Sequence, residues 1–268
     1  MIPASAAMPR WASVGGGLVA GERLLAEEVP IALVYDHATY AVMMATPADL
    51  TDFAIGFSLA ERLIDAADDI EAREIIPHGR GIELRMQLAE RCADRPRARM
   101  RHMAGPVGCG LCGIQSLAEV FQPPSMVAEG VMISGPAIVA ALAEMARLQR
   151  LNAIVRAAHA AAFWLPEQGL VALREDVGRH NALDKLAGAL AVEGCEGVAG
   201  AVMLSSRVSI EMVQKTARLG ASIIVAASAP TALAVRFATA CSITLIGIAR
   251  EDGFEVFTGP GRIQRSAN

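Results

Sequence analysis

Ala201-Val202-Met203-Leu204, Ser222-Ile223-Ile224-Val225-Ala226-Ala227 and Ser242-Ile243-Thr244-Leu245-Ile246-Gly247-Ile248 are three short apolar runs, and what separates them decides the fold. Between the first and second lies a segment of helical spacing, about Ser209 to Leu219, and between the second and third another, about Pro230 to Ala240. Short apolar strands alternating with amphipathic helices predict an α/β protein with a largely parallel, helix-covered sheet. Working outward, His159 to Leu165 and Gly169 to Arg174 are expected as strands around Pro166-Glu167-Gln168, followed by a helix from about His180 to Ala191. Ser134-Gly135-Pro136 should open a helix that runs to about Gln149. Ligands of such sheets sit beyond the carboxyl ends of the strands. Four polar segments follow predicted strands there, at Arg174 to His180, Ser205 to Ser209, Ser228 to Thr231 and Arg250 to Gly253.

The first part of the chain has a different grammar. Val29 to Tyr35 and Tyr40 to Ala45 form a predicted strand pair, and Glu74 to Ile76 and Ile82 to Leu88 flank Pro77-His78-Gly79-Arg80-Gly81 as a second hairpin. Thr46-Pro47-Ala48-Asp49 has the chemistry of a helix start, with Thr46 as cap, and Leu50, Phe53, Ala54, Phe57, Ala60 and Leu63 recur on one face. The expected organisation is a disordered terminus over residues 1–17, a small α+β portion over 18–125, and an α/β cofactor-binding domain over 126–268, with Pro123-Pro124-Ser125 as the break.

Composition sets the exclusions. The 268 residues carry a formal charge of −4, against a general nucleic-acid binder. An apolar fraction of 53% with only 4% aromatics implies a core of Ala, Val, Leu, Ile and Met. No apolar stretch approaches the roughly 20 residues of a membrane span. Met1 to Gly17 lacks a basic region followed by an apolar one, so no secretory signal and no membrane partner is expected, and the protein should be cytoplasmic. Five cysteines, an odd number, do not make a disulfide framework. Cys92, Cys195 and Cys241 each stand alone and are expected to be inert, buried thiols.

Cys109 and Cys112 are different. They sit in Gly108-Cys109-Gly110-Leu111-Cys112-Gly113, where alternate residues offer no side chain to shield a thiol. Half a zinc site is one reading, but its nearest additional ligands are Cys92 and His102, with no second paired motif. A dithiol redox pair is another, although such pairs usually open a helix after a strand. The nominal Gly-x-Gly-x-x-Gly match lacks the βαβ context that would make it a nucleotide loop. A sulfur carrier is the reading with most physical support, because a persulfide must swing outward and present its outer sulfur unhindered. Arg91, Arg95, Arg97, Arg99 and Arg101 lie upstream, either to attract an anionic partner or simply as a solvated basic face.

Further along, Arg179, His180, Asn181, Ser206, Arg207, Lys215 and Ser228 are candidate ligands for phosphates and a guanine edge, as guanidinium, ammonium, amide and hydroxyl donors suit those groups. His180 and Asp184, one turn apart, make a possible acid/base unit. The competing expectation is that Asp176 caps the helix while Asp184 and Lys185 are surface charges.

Over nearly its whole length the chain resembles the FdhD family of formate dehydrogenase accessory sulfurtransferases. The carrying segments are Ala45 to Leu50 with Phe53 to Phe57, Gly108 to Gly113, Arg174 to Lys185 and Ser205 to Arg207, with further likeness at Gln214-Lys215, Ser228 to Thr231 and Leu245 to Gly247. The resemblance implies a cytidine-deaminase-like fold, a three-layer arrangement with helices on both faces of the sheet, usually as a homodimer. It implies transfer of sulfur from a cysteine desulfurase to the bis-molybdopterin guanine dinucleotide (Mo-bis-MGD) of formate dehydrogenase, with no permanent metal of the carrier's own. The persulfide-bearing cysteine then matches Cys109, with Cys112 its companion, and the cofactor loop matches Ile248, Ala249, Arg250, Glu251, Asp252 and Gly253. Glu251 and Asp252 place two carboxylates where an anion is expected, so contacts there would fall to backbone groups and Arg250. The deaminase signature itself is absent, since no histidine is followed two positions later by Glu. A non-covalent cofactor chaperone and a dithiol oxidoreductase stay open as alternatives.

Overall fold

The computed structural model describes residues 2–100, 126–127 and 129–264. Its first half contains β1 (Ser5–Val14), β2 (Gly17–Ala26), β3 (Val29–Tyr35), β4 (Ala38–Ala45), α1 (Leu50–Ala60), β5 (Ile70–His78), β6 (Gly81–Leu88) and α2 (Arg95–Met100). Strands β3 to β6 form a four-stranded sheet of order β4-β3-β6-β5. The apolar face of α1, carrying Phe53, Ala54, Ile55 and Phe57, closes a core with Ile31, Leu33, Leu84 and Met86.

The second half contains β7 (Ile133–Ser134), α3 (Gly135–Leu148), α4 (Arg150–Val155), β8 (His159–Leu165), β9 (Gly169–Asp176), α5 (Arg179–Glu193), β10 (Ala201–Leu204), α6 (Ile210–Leu219), β11 (Ile223–Ala226), α7 (Ala232–Ala240), β12 (Thr244–Arg250), β13 (Gly253–Thr258) and β14 (Ile263–Gln264). Six of the strands make one sheet of order β13-β12-β11-β10-β8-β9. Helices α5, α6 and α7 cover one face through Leu183, Leu186, Met212, Val213 and Ala234. Helix α3 covers the other through Ile138, Ala141 and Met145. The expected three-layer α/β architecture is therefore present.

The sheet is mixed and not largely parallel. Only β10, β11 and β12 pair in parallel, while β8, β9 and β13 are antiparallel to their neighbours. The central strands read as continuous apolar runs because both of their faces are buried. The flanking strands join through short turns, Pro166 to Gln168 and Glu251-Asp252, and such connections reverse direction.

Two local expectations also change. Residues 5–14, expected to be disordered, pair as strand β1 along the whole of β2, because Gly15 and Gly16 adopt the positive φ (58° and 84°) that a two-residue hairpin turn requires. Thr46 does not cap α1, which starts after Asp49; Thr46 is drawn into long-range hydrogen bonds described below. By contrast Ser134 does cap α3, its hydroxyl accepting from the Ala137 N–H, and Thr231 caps α7 in the same way.

The two halves meet where α1 lies against α5. A Cβ on Gly56 would fall on the Asp184 carbonyl, and one on Gly188 would fall on the Asp52 carbonyl, so these helices touch backbone to backbone. Among the described residues, no helix is long and apolar enough to cross a membrane.

Candidate functional site: a cationic rim

Strand directions place the site. Strand β9 is antiparallel to β8, and β8 to β10, so β9 runs the same way as β10, β11 and β12. The carboxyl ends of all four strands thus lie along one rim, as the sequence predicted. The loops there are fastened to one another. Val208 bridges Pro230, and the Thr231 N–H donates to the Val208 carbonyl at 2.9 Å. The Ile248 N–H donates to the Ser228 carbonyl at 3.3 Å.

Asp176, at the end of β9, organises this rim. One carboxylate oxygen accepts from the Gly178 N–H (2.8 Å) and the Asn181 amide (3.0 Å). The other accepts from the Thr46 N–H (3.0 Å) and pairs with the Lys185 ammonium at 2.7 Å. Lys185 also donates to the Thr46 carbonyl, the Val177 N–H donates to the Thr46 hydroxyl, and Asn181 donates to the Met44 carbonyl. Asp176, Lys185 and Thr46 are each 0% exposed. An ion pair so buried holds only because nearly every lone pair and proton has a partner. It clamps the segment after β4 to the start of α5.

Neither expectation for Asp184 and Lys185 survives. They are not surface charges, and Asp184 forms no unit with His180: both of its carboxylate oxygens lie 2.5 Å from the Lys215 ammonium. Burial pushes the Asp184 carboxyl up, against the lowering pull of Lys215.

What remains at the mouth of the rim is positive. Helix α5 begins at Arg179 with Gly178 as its N-cap and no side chain capping it, so its first N–H groups, next to Arg179 and His180, have no intrahelical partner. Burial, with Lys215, Arg179, Arg207 and His159 around it, drives His180 down to about 3. The imidazole is therefore neutral at neutral pH. Burial and the neighbouring Arg207 also lower Arg179, against the opposite pull of Glu211. Arg179 Nε, His180 Nε2, Ser209 Oγ and Glu211 Oε2 are buried polar atoms with no hydrogen-bond partner. Two guanidinium groups and orphaned polar atoms next to a helix start make this a candidate anion site, with Glu211 as the carboxylate beside Arg179.

Of the residues predicted from sequence, Arg179, His180, Arg207 and Lys215 come together, although Lys215 is engaged by Asp184. Asn181 is buried and committed to Asp176 and Met44, so it positions and does not present itself to a ligand. Ser206 is buried and donates to the Arg207 carbonyl; Ser228 is half-buried and offers its carbonyl to Ile248. Ile248, Arg250, Glu251 and Asp252 are exposed, Ala249 is buried under α3, and Gly253 pairs with Arg250 to begin β13. Ile248 has φ of 51°, unusual for a β-branched residue, at an irregularity where β12 leaves register with β13.

Cys109, Cys112 and Arg101 lie outside the described residues. Of the arginines before them, Arg91, Arg95 and Arg99 pair with Asp69, Asp65 and Glu61 respectively. Burial raises the thiols of Cys92 and Cys195 and pushes Cys241 up to about 11, so none of these three is a ready nucleophile. Sequence reasoning placed Ser209 in a rim segment but missed Thr46, His159 and Glu211 as parts of the rim. Glu211 was within reach of it, two residues beyond the predicted loop after the first apolar run.

Fold and rim together define a three-layer α/β protein with a candidate anion site at the carboxyl ends of its strands. Comparison with known proteins agrees in detail. The family model described as FdhD/NarQ matches residues 26–264. The chain is 50% identical over 244 residues to the sulfur carrier protein FdhD of Agrobacterium fabrum, covering 91% of this chain and 90% of that protein. It is 47% identical over 263 residues to the protein of that name from Cupriavidus necator, covering 98% and 90%. The crystal structure of a candidate formate dehydrogenase accessory protein from Desulfotalea psychrophila superposes with a TM-score of 0.78 at 26% identity, covering 98% of this chain and all of the other. The chain belongs to the FdhD/NarQ family.

Proposed function

We propose that this chain is a sulfur carrier serving formate dehydrogenase, with Cys109 as the persulfide-bearing residue. The observation that carries the reading is the 50% identity, over nine-tenths of both chains, to a relative named for sulfur carriage. The cationic rim supports it as the place where the substrate, Mo-bis-MGD, is received: Arg179 and Arg207 offer guanidinium forks for diphosphates, and the start of α5 offers N–H groups. Neutral His180 adds a donor or acceptor without a further charge. Glu251 and Asp252 turn outward into solvent, which removes their conflict with an anion at the rim.

In this mechanism the Cys109 thiolate attacks the outer sulfur of a cysteine desulfurase persulfide. The donor S–S bond breaks as the new one forms, and the desulfurase thiolate leaves. The outer sulfur of the Cys109 persulfide then passes to the molybdenum of the substrate as sulfide: the Cys112 thiolate attacks Cys109 Sγ, the persulfide S–S bond breaks as a Cys109–Cys112 disulfide forms, and this thiol pair supplies the two electrons the sulfur gains. Carriage also requires a reducing cytoplasm and a homodimer that can approach both desulfurase and formate dehydrogenase.

Peptide mass spectrometry after incubation with an active cysteine desulfurase and cysteine tests the reading. The expected result is additional sulfur on Cys109, released by reductant and absent in Cys109→Ala, with guanine nucleotide binding retained. No sulfur on Cys109 or Cys112 would sink it and leave a non-covalent cofactor chaperone or, if both cysteines cycle through a disulfide, a dithiol oxidoreductase.

A further inference from the structure

The rim holds one group that its positive charge does not explain. Glu211 sits in the first turn of α6, two residues after the N-cap Ser209, and its Oε2 is buried with no hydrogen-bond partner. The neighbouring carboxylates are committed: Asp176 to Lys185, Asp184 to Lys215, and Glu175 to the Leu151 and Asn152 N–H groups in the first turn of α4. An acid in a first turn favours the helix start, but that role accounts for the position and not for a buried acceptor left unsatisfied. Arg179 lies near enough to feel Glu211, yet Arg179 Nε and Glu211 Oε2 are each without a partner, so the two do not satisfy one another.

The orphaned atoms of the rim differ in kind, and the difference selects the ligand. Arg179 Nε only donates, an ionised Glu211 Oε2 only accepts, and Ser209 Oγ and His180 Nε2 can do either. A phosphate brings acceptors alone. It would serve the donors and lie against the carboxylate with nothing to offer it, which leaves a buried charged acceptor unpaired. A small cation would serve Glu211 and meet Arg179 and Arg207 instead. Two adjacent N–H donors beside a carbonyl answer every member of the set. Such a pair of donors meets a carboxylate in the parallel fork by which a guanidinium does.

We infer that Glu211 reads a 2-amino-4-oxopyrimidine edge of the substrate, accepting from its ring N–H and its exocyclic amine, with the Ser209 hydroxyl as donor to the carbonyl. This rests on the reading of the rim as the place where Mo-bis-MGD is received, a substrate that carries the edge in two forms, as guanine and as pterin. Arg179 and Arg207 keep the diphosphate, and Glu211 sets the specificity. A carboxylate within a cationic rim turns away ligands that are merely anionic, and it turns away adenine nucleotides, whose edge has an acceptor where guanine has its ring N–H.

Calorimetric titration of the full chain with two matched pairs of probes tests this. GDP and IDP differ only by the exocyclic amine, and 6-hydroxymethylpterin and 6-hydroxymethyllumazine differ at the same position. The wild-type chain should prefer the amine-bearing member of one pair about tenfold or more, as a lost hydrogen bond to a charged group implies. Glu211→Gln should erase most of that preference, because an amide turns one acceptor into a donor, with the thermal midpoint near wild type since Oε2 has no bond to lose. Preference within the nucleotide pair assigns the edge to guanine, and preference within the pterin pair assigns it to pterin. The wild-type preference is read without any substitution, so it decides even where the variant fails to fold. GDP binding that is lost in Arg179→Ala, with no preference within either pair or with a preference that Glu211→Gln leaves intact, would overturn the inference and keep the rim as the receiving site. No binding of GDP or of the pterin to the wild-type chain would overturn both.

Discussion

Two basic clusters in this chain look alike on paper and behave oppositely in space. Around α2, Arg91, Arg95 and Arg99 meet Asp69, Asp65 and Glu61 one for one. At the rim, Arg179, His180 and Arg207 stand together with a helix start behind them; the carboxylates Asp176 and Asp184 are taken by Lys185 and Lys215, and Glu211 is left as the one facing Arg179. The first cluster is denser in sequence, and the second is the candidate anion site. What distinguishes them is the supply of partners, because a cation that has found its carboxylate has little left to offer a ligand.

The strongest way to break the comparison is to remove the carboxylate that organises the rim. Asp176→Ala leaves Lys185 buried and uncompensated and should cost about 3–5 kcal/mol in urea unfolding, with loss of guanine nucleotide binding. Next, Arg179→Ala should weaken that binding about tenfold or more, read by calorimetry, while the thermal midpoint hardly moves, because its Nε has no partner to lose.

A third effect is read against pH. His180 is held near 3 in the folded protein, below its ordinary 6.5, so between those values the unfolded chain binds the extra proton. Stability should therefore fall as pH drops from about 6.5 toward 3, by at most about 1.4 kcal/mol per pH unit from this residue, and His180→Gln should flatten that slope. The smallest effect belongs to α2: Arg95→Gln removes an exposed pair with Asp65 and should leave nucleotide affinity and the unfolding midpoint within experimental error. A loss of nucleotide affinity there would mean that the basic run serves the same anion as the rim.

The alternation of apolar runs between Ala201 and Ile248 made the central strands and their helices legible, because a strand buried on both faces leaves an uninterrupted apolar signature. The four rim loops followed from it. Strand direction in the flanks did not, since hydrophobic pattern is the same for a strand running either way. Nor did the fate of Thr46, whose hydroxyl accepts from the Val177 N–H, 131 residues distant, and no local rule sees such a partner. Asp184 and Lys185 looked like surface charges for the same reason: burial of an ion pair is a property of what packs over it, here α1 and Phe53. The arm between Ser5 and Ala26 misled because neither face is buried, so it carries no alternation to announce a strand.

The backbone contact of α1 with α5 at Gly56 and Gly188 has a consequence for how the molecule breathes. Helices that interlock without side chains between them cannot part by a rotamer change; one must leave the other entirely. The amides of α1 and α5 should therefore exchange with deuterium as a single cooperative unit, with the four-stranded sheet protected to the same degree as the helix that begins the rim.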